Sequence, residues 1–376
     1  MRGIAGTTVL FRADASTQSG HGHVMRCLTL AAALREHGAT CLFASRLHDG
    51  HMIERTRVLG FAAVELPPLS VSQAAGDLDL HHDHGTLSTC DALQTMKMLG
   101  ERAIDLLVVD HYGLDATWED ALRPHARKIM VIDDVPDRSH SCDLLLDQNL
   151  GTDPADYRAL VPRTCRIVTG PSYALLRPQF SQWRQYSLDR RALARARRLL
   201  VSMGGTNVGN CTGRVLKALQ GCRLSQDLDI KVVIGASAPG LTEVLERATR
   251  LPWRTDVFTN VENMAELMAS SDFAIGAGGS TSWERCCMGL PTVSVVLADN
   301  QRKSSLRIQD EGACVALELG ATFDASLARC VDSLAGSSEM LTQMGRAAAR
   351  IVDGKGCQRV VDEIRRLLAT DSTGDS

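Results

Sequence analysis

The chain has 376 residues, 44% of them apolar and 23% charged, with a formal net charge of −3. This balance suits a globular protein long enough for two α/β domains and argues against a chain that binds nucleic acid over its whole surface. No apolar run approaches the roughly 20 residues needed to cross a bilayer, and Thr7–Phe11 is too short for a signal-peptide core, so the expectation is a cytoplasmic chain without a membrane partner.

Short apolar runs alternate with amphipathic stretches from the start. Thr7–Phe11 reads as a first strand. A glycine-bearing loop follows, then a helical stretch from Met25 to His37 with Leu28, Leu30, Ala31, Ala32 and Leu34 on its apolar face. Gly38 stands where a helix stop belongs. Cys41–Ala44 reads as a second strand. The runs 106–110, 129–134 and 142–147 end in Asp110, Asp133-Asp134 and Asp147, the pattern of buried parallel strands with polar C-terminal ends. The stretch from Gln179 to Arg198 is rich in Arg and Gln and carries no strand signal, so the domain junction is expected there. The pattern then restarts at Leu199–Met203, followed by a helix over 212–219 and strands over 230–235, 273–276 and 291–296. Helices over 327–334 and 358–368 close the chain. Two runs of strand–loop–helix units predict an α/β protein with two Rossmann-like domains, at 1–180 and 190–370, facing a ligand cleft.

The 12 cysteines form no C-x-x-C pair and read as reduced core thiols. His81-His82-Asp83-His84 is the nearest approach to a metal cluster. Adjacent histidines cannot all face one ion from a regular element, so an exposed loop is expected and no metal is assigned.

Three loops stand where a strand hands over to a helix: Ser19-Gly20-His21-Gly22-His23, Gly204-Gly205-Thr206-Asn207 and Gly278-Gly279-Ser280-Thr281. Glycine allows a sharp turn and close approach to a ligand. The helix that follows presents free N–H groups, which favours an anion, and Ser280 and Thr281 add hydroxyls. A diphosphate fits this chemistry. Neither the P-loop nor the G-x-G-x-x-G fingerprint is present. Glu284 falls about one turn after Ser280, where it reads either as an acceptor for ribose hydroxyls or as a surface acid at a helix start.

His23 sits at a helix start after two glycines. Such a position favours the neutral imidazole that a general base requires. His21 is equally placed on chemistry alone, and either residue could simply cap or pack. Asp14, upstream, is a candidate for orienting an imidazole. Asp110-His111-Tyr112 ends another strand of the same half.

Phe11-Arg12-Ala13-Asp14-Ala15-Ser16, leading to Gly20-His21-Gly22-His23-Val24-Met25-Arg26, resembles the N-terminal signature of the UDP-sugar hydrolases of pseudaminic acid biosynthesis. Further blocks occur in that family's order: Val108 to Gly113, Tyr157-Arg158 through Gly170 to Arg177, Ser202 to Asn207, Gly276 to Glu284, and Asn300-Gln301. The resemblance spans roughly residues 7 to 316. It implies a fold like glycosyltransferases of the GT-B type, with UDP held mainly by the C-terminal half. It places the catalytic base on His23 and not on His21, and matches Tyr112 to an active-site tyrosine. It assigns Gly22, Arg177, Gly204, Gly205, Gly279, Ser280, Thr281, Glu284, Asn300 and Gln301 to substrate binding. The implied reaction is inverting hydrolysis at the anomeric carbon of UDP-2,4-diacetamido-2,4,6-trideoxy-β-L-altropyranose, a scheme that needs no metal or cofactor; a monomer is expected because two domains already bury a large core. A glycosyltransferase using a UDP-sugar donor and a non-catalytic nucleotide-sugar-binding protein are the alternatives.

Overall fold

The structure is a computed structural model that describes residues 3–68, 84–193, 195–204, 207–236, 238–259 and 261–369. It divides into two compact units. The first gathers the chain up to Leu175 together with the stretch from Cys357 onward, and the second runs Leu176–Gly356.

The first unit is built on seven strands: β1 (Thr8–Ala13), β2 (Thr40–Arg46), β3 (Ala62–Leu66), β4 (Ile104–Asp110), β5 (Ala126–Ile132), β6 (Leu144–Asp147) and β7 (Arg166–Thr169). They lie in the order β3-β2-β1-β4-β5-β6-β7, and every paired neighbour runs parallel. Parallel strands covered on both faces need apolar residues on both sides. In β1, Phe11 packs into one core layer with Leu30, Leu34 and Val108. Leu10 packs into the opposite layer with Leu107, Trp118 and Val131. The helix Gly22–Glu36 follows β1. It ends where Gly38, at φ +86°, lets its N–H close back on Arg35 O at 2.9 Å, the left-handed stop that glycine tolerates best.

The second unit repeats the plan with β8 (Arg198–Ser202), β9 (Asp229–Ile234), β10 (Arg254–Thr259), β11 (Phe273–Ala277), β12 (Thr292–Val296) and β13 (Cys314–Glu318). Their order is β10-β9-β8-β11-β12-β13, again all parallel. Leu199, Val201, Val232, Ile275 and Val293 fill its core with Val215, Leu327 and Val331 from covering helices. In both sheets the first strand of the unit lies between the second and the fourth. The strand order therefore reverses at β1/β4 and at β8/β11. The crevice beyond the C-terminal ends of such strands is where open α/β sheets bind ligands.

The domain expectation needs correcting at both ends. The helix Pro178–Arg191 belongs to the second unit, so the boundary falls at Leu175–Leu176. Its arginines reach neighbouring main-chain carbonyls: Arg191 donates to Met268 O, Ser271 O and Met288 O, each at 2.8 Å. The helix Gly356–Ala369 was expected to complete the second unit and instead completes the first. Val360, Val361, Ile364 and Leu368 join the layer that holds Phe11 and Leu30, and Arg166 pairs with Glu363. Each such buried aliphatic side chain contributes about 1.5–3 kcal/mol. Amphipathic spacing announces a helix but does not say which core receives its apolar face.

Candidate active site

At the first reversal point, Ala13 at the end of β1 is in register with Asp110 at the end of β4. The loop after β1 makes a tight bridge, with Gly20 N donating to Ser16 O at 2.9 Å and Gly20 at φ +79°. Gly22 opens the helix, which places His23 in its first turn. His23 Nδ1 lies 2.5 Å from Asp110 Oδ1. A carboxylate accepts from Nδ1–H, which fixes the tautomer and leaves the lone pair on Nε2. The His23 side chain keeps 11% of its surface exposed while Asp110 has none.

Arg26, one helical turn beyond His23, binds the same carboxylate with two N–H groups, Nε at 2.6 Å and Nη2 at 2.7 Å. Its Nη1 donates to Asp134 Oδ1 at 2.9 Å. Burial alone would push the Asp110 carboxyl up. The Arg26 charge, then His23, overcome that and hold it well below the usual carboxylate range. Tyr112 donates its hydroxyl to Asp134 Oδ2 at 2.9 Å. Its ring meets the His23 ring edge-on, with centroids 4.6 Å apart and planes at 87°. Asn149 Nδ2 donates to Asp134 Oδ1 at 3.2 Å. One histidine, two carboxylates, one guanidinium and one phenol are thus gathered at the strand ends and hydrogen-bonded to one another, an arrangement suited to taking a proton from a positioned nucleophile.

His21 is the N-cap residue of the helix without a side-chain capping bond. Burial lowers its imidazole below the ordinary histidine value, partly offset by a bond with the Gly50 backbone. Asp14, a candidate partner for an imidazole of the loop, serves a different histidine. Its carboxylate accepts two bonds from the buried Arg12, at 2.6 and 2.9 Å, and one from Arg46 N at 2.7 Å. His111 Nε2 approaches Asp14 Oδ2 at 3.3 Å, while its Nδ1 accepts from Gly113 N at 3.0 Å. Burial again works against charge on Asp14, and Arg12 and His111 hold the carboxyl far below its usual value. Arg12 and Arg46 both also grip Asp91, from the helix His84–Leu99. This ion cluster packs beneath the strand ends, where a carboxylate missing one partner would be costly.

At the second reversal point, Ser202 at the end of β8 is in register with Gly276 in β11. Gly204 follows β8 at φ +87°; Gly205 and Thr206 lie outside the described residues. Asn207, at φ +45°, accepts from Thr212 N at 3.0 Å and donates to Pro239 O at 2.8 Å, tying the loop to the helix Cys211–Leu219. Beyond β11 the chain turns at Gly279, φ +90°, into the helix Thr281–Cys287, with Ser280 as N-cap residue and no side-chain capping bond. Gln301, on the helix Asp299–Asp310, packs against this loop. A Cβ at Gly278 would lie 3.0 Å from both Cβ and Oε1 of Gln301, and Oε1 accepts from Leu297 N at 3.1 Å. Glu284, its side chain 16% exposed, pairs with Arg177 at 3.3 Å. Burial raises the Glu284 carboxyl and the Arg177 charge counters it. Asn300 lies in the same helix as Gln301.

The predicted residues therefore fall into two sets. His23, Tyr112 and Gly22 come together in the first unit. Arg177, Gly204, Gly279, Ser280, Thr281, Glu284, Asn300 and Gln301 lie in the second, most of them around the loop after β11. Arg26, Asp134, Asn149 and the Arg12–Asp91–Arg46 cluster had no assigned role from sequence. Arg26 carried a usable signal, since a residue three positions after His23 shares its helix face. Among the described residues no group of three or more His, Cys, Asp or Glu side chains could hold a metal ion. Of the candidate metal cluster, His81, His82 and Asp83 lie outside the described residues. No described helix is long and apolar enough to cross a membrane.

Residues 201–360 match the family described as Glycosyltransferase family 28 C-terminal domain. The chain is 26% identical over 305 residues to the UDP-2,4-diacetamido-2,4,6-trideoxy-beta-L-altropyranose hydrolase of Campylobacter jejuni, covering 81% of this chain and 97% of that protein. It is 24% identical over 363 residues to the spore coat polysaccharide biosynthesis protein SpsG of Bacillus subtilis, covering 94% of this chain and 97% of the relative. Among solved structures, MurG of Acinetobacter baumannii superposes with a TM-score of 0.68 at 17% identity, over 96% of this chain and 99% of that one. The likeness shows the fold: two parallel-sheet α/β domains of the GT-B type.

Proposed function

We propose that this chain acts on a UDP-sugar. More narrowly, we read it as a hydrolase that splits UDP-2,4-diacetamido-2,4,6-trideoxy-β-L-altropyranose at the anomeric carbon into UDP and 2,4-diacetamido-2,4,6-trideoxy-L-altrose. The observation that carries the reading is the His23–Asp110 pair at the β1/β4 reversal, 2.5 Å apart. The similarity to the hydrolase of Campylobacter jejuni supplies the substrate. UDP leaves readily, so two contributions are required of the protein. His23 Nε2 takes a proton as water oxygen bonds to C1, and the C1–O bond to the diphosphate breaks with its electrons passing to UDP. Attack opposite UDP inverts the anomeric centre. Hydroxyl and backbone donors of the loop after β11 stabilise the charge gathering on the diphosphate. Glu284 accepts from ribose hydroxyls, and Tyr112 lines the sugar side against His23. No step in this scheme runs through a metal.

The match of residues 201–360 to a glycosyltransferase domain favours a second reading, transfer of the sugar to an acceptor other than water. Incubation with the UDP-sugar alone, followed by ³¹P and ¹H NMR, separates the two. Hydrolysis releases UDP and free sugar at a catalytic rate, and the first sugar formed has the inverted anomeric configuration. Turnover that appears only on adding an acceptor supports transfer. His23→Ala is expected to bind UDP without turnover; near-wild-type UDP release by that variant sinks the assignment. UDP binding without turnover under either condition points to a binding protein.

A further inference from the structure

Arg285 is a buried cation that the scheme above leaves without a task. It lies in the helix Thr281–Cys287 with 3% of its surface exposed, and no carboxylate pairs with it among the described residues. Its hydrogen bonds go to neutral oxygens only. Nη2 donates to Ala277 O at 2.6 Å and Ser282 Oγ at 3.0 Å, and Nη1 donates to Thr281 Oγ1 at 3.1 Å. The guanidinium lies against the end of β11. A Cβ at residue 276 would sit 2.5 Å from Nη1, so only glycine leaves room for it. At the same loop, Ser305 Oγ lies 2.9 Å from where a Cβ of Gly278 would stand. That hydroxyl is buried and has no hydrogen-bond partner among the described residues.

A buried guanidinium stays protonated and is expensive to hold unless something answers its charge. Here the hydrogen bonds come from dipoles alone, and the neighbouring Glu284 carboxylate acts on the charge only through its field. This fixes the direction of a hydroxyl: Thr281 Oγ1 accepts from Arg285, so its own hydrogen must point away from the guanidinium. Thr281 is half-buried at the lip of the loop, whereas Ser282 behind it is buried.

We propose that Arg285 is a positioning residue for an anionic ligand group at the loop Gly278–Thr281. It commits the Thr281 hydroxyl to donating outward and sets behind the loop a positive charge that no ion pair among the described residues answers, which the diphosphate of the ligand complements. This rests on the UDP-sugar reading. Arg285 touches no ligand itself; it acts through Thr281 and through its field.

Calorimetric titration of the full chain with UDP, uridine and inorganic pyrophosphate tests the assignment. Arg285→Gln is expected to weaken UDP and pyrophosphate by about 10–100-fold, the range of one charged donor set, while uridine changes less than about 2-fold. Arg285→Lys, which keeps the charge and loses the fork, should recover part of the loss. A merely structural Arg285 would lower affinity for UDP and uridine together, and that result overturns the proposal, as does unchanged UDP affinity. Should Arg285→Gln fail to fold, Thr281 carries the test: Thr281→Val should lose UDP affinity and Thr281→Ser keep it, and a Thr281→Val protein binding UDP like wild type overturns the proposal. Wild-type protein that binds pyrophosphate but not UDP sinks the UDP reading and leaves Arg285 to be judged on pyrophosphate. Binding of neither defeats both.

Discussion

His23 Nδ1 and Asp110 Oδ1 stand 2.5 Å apart although 87 positions separate them in the chain. The parallel register of β1 and β4 brings them together: one strand delivers the acid, and the helix that follows the other delivers the imidazole. Asp110→Asn keeps the shape but offers an amide that can donate to Nδ1 and so reverse the tautomer. The expected result is a kcat lower by about 10²–10⁴-fold, with UDP affinity unchanged. A kcat within about 3-fold of wild type would mean that Asp110 does not orient the base.

Arg26 holds Asp110 and Asp134 at once. Arg26→Met removes the charge and leaves a fully buried carboxylate without its guanidinium. Breaking such a pair costs about 3–5 kcal/mol, which urea denaturation should record as a lower midpoint with little change in slope. Activity should fall as well, since both His23 and Tyr112 lean on the carboxylates that Arg26 fixes. Unaltered stability would show that water or another cation takes its place.

Tyr157 Oη lies 3.1 Å from both Asp133 Oδ2 and Asp147 Oδ2. One phenolic proton cannot serve two carboxylates. Burial, reinforced by Asp134, pushes the Asp147 carboxyl up to about 6 against the bond from Asn149 N, so as pH falls Asp147 takes up a second proton well before an ordinary carboxyl does. The folded value lies above the unfolded one of about 3.9. The folded protein therefore binds more protons between about pH 4 and 6, and this contribution to stability falls as pH rises through that window. The span is at most about 3 kcal/mol. Asp147→Asn supplies a permanent donor, so its stability between pH 4 and 6 should vary less than that of wild type. An unchanged pH slope would place the shared proton elsewhere.

Gly276 is a position where a methyl group decides the outcome, because the guanidinium of Arg285 occupies the space of its side chain. Gly276→Ala must displace a cation from its buried acceptors. The expected cost is about 1–3 kcal/mol from overpacking, with weaker UDP binding. Gly170→Ala, which meets no atom within 4 Å but holds φ +99°, separates backbone strain from this clash.

The strand ends were legible because they close on acids. Asp110, Asp133-Asp134 and Asp147 terminate apolar runs, and the glycines after β1 and β11 mark the two reversal points. β10 was not legible: Arg254–Thr259 is an edge strand, only half-buried, and its mixed composition carries no run of apolar residues. β7, Arg166–Thr169, is too short to show a period. At the site, spacing could not choose between His21 and His23, nor name the acid that serves an imidazole. Asp14 is close in sequence yet faces Arg12 and His111, whereas Asp110 is distant and adjacent. That choice is made by sheet register, which local sequence does not encode. The contact of Arg285 with Gly276 was illegible for a related reason, since nothing in either residue alone reveals that one is the absence the other fills.

The helix Gly356–Ala369 lends its apolar face to the core of the first unit after the whole second unit has been traversed. On a ribosome, the seven-stranded sheet emerges early but waits for this helix until the second sheet has been made. Its layer around Phe11 and Leu30 stays open to solvent in the meantime, an interval in which nascent chains aggregate or recruit chaperones. The two sheets are separate as cores but not as stretches of chain, so neither a C-terminal deletion nor a cut at Leu175 yields a complete first unit. A circular permutant that begins near residue 357 would make that unit contiguous and let it close before the second is synthesised.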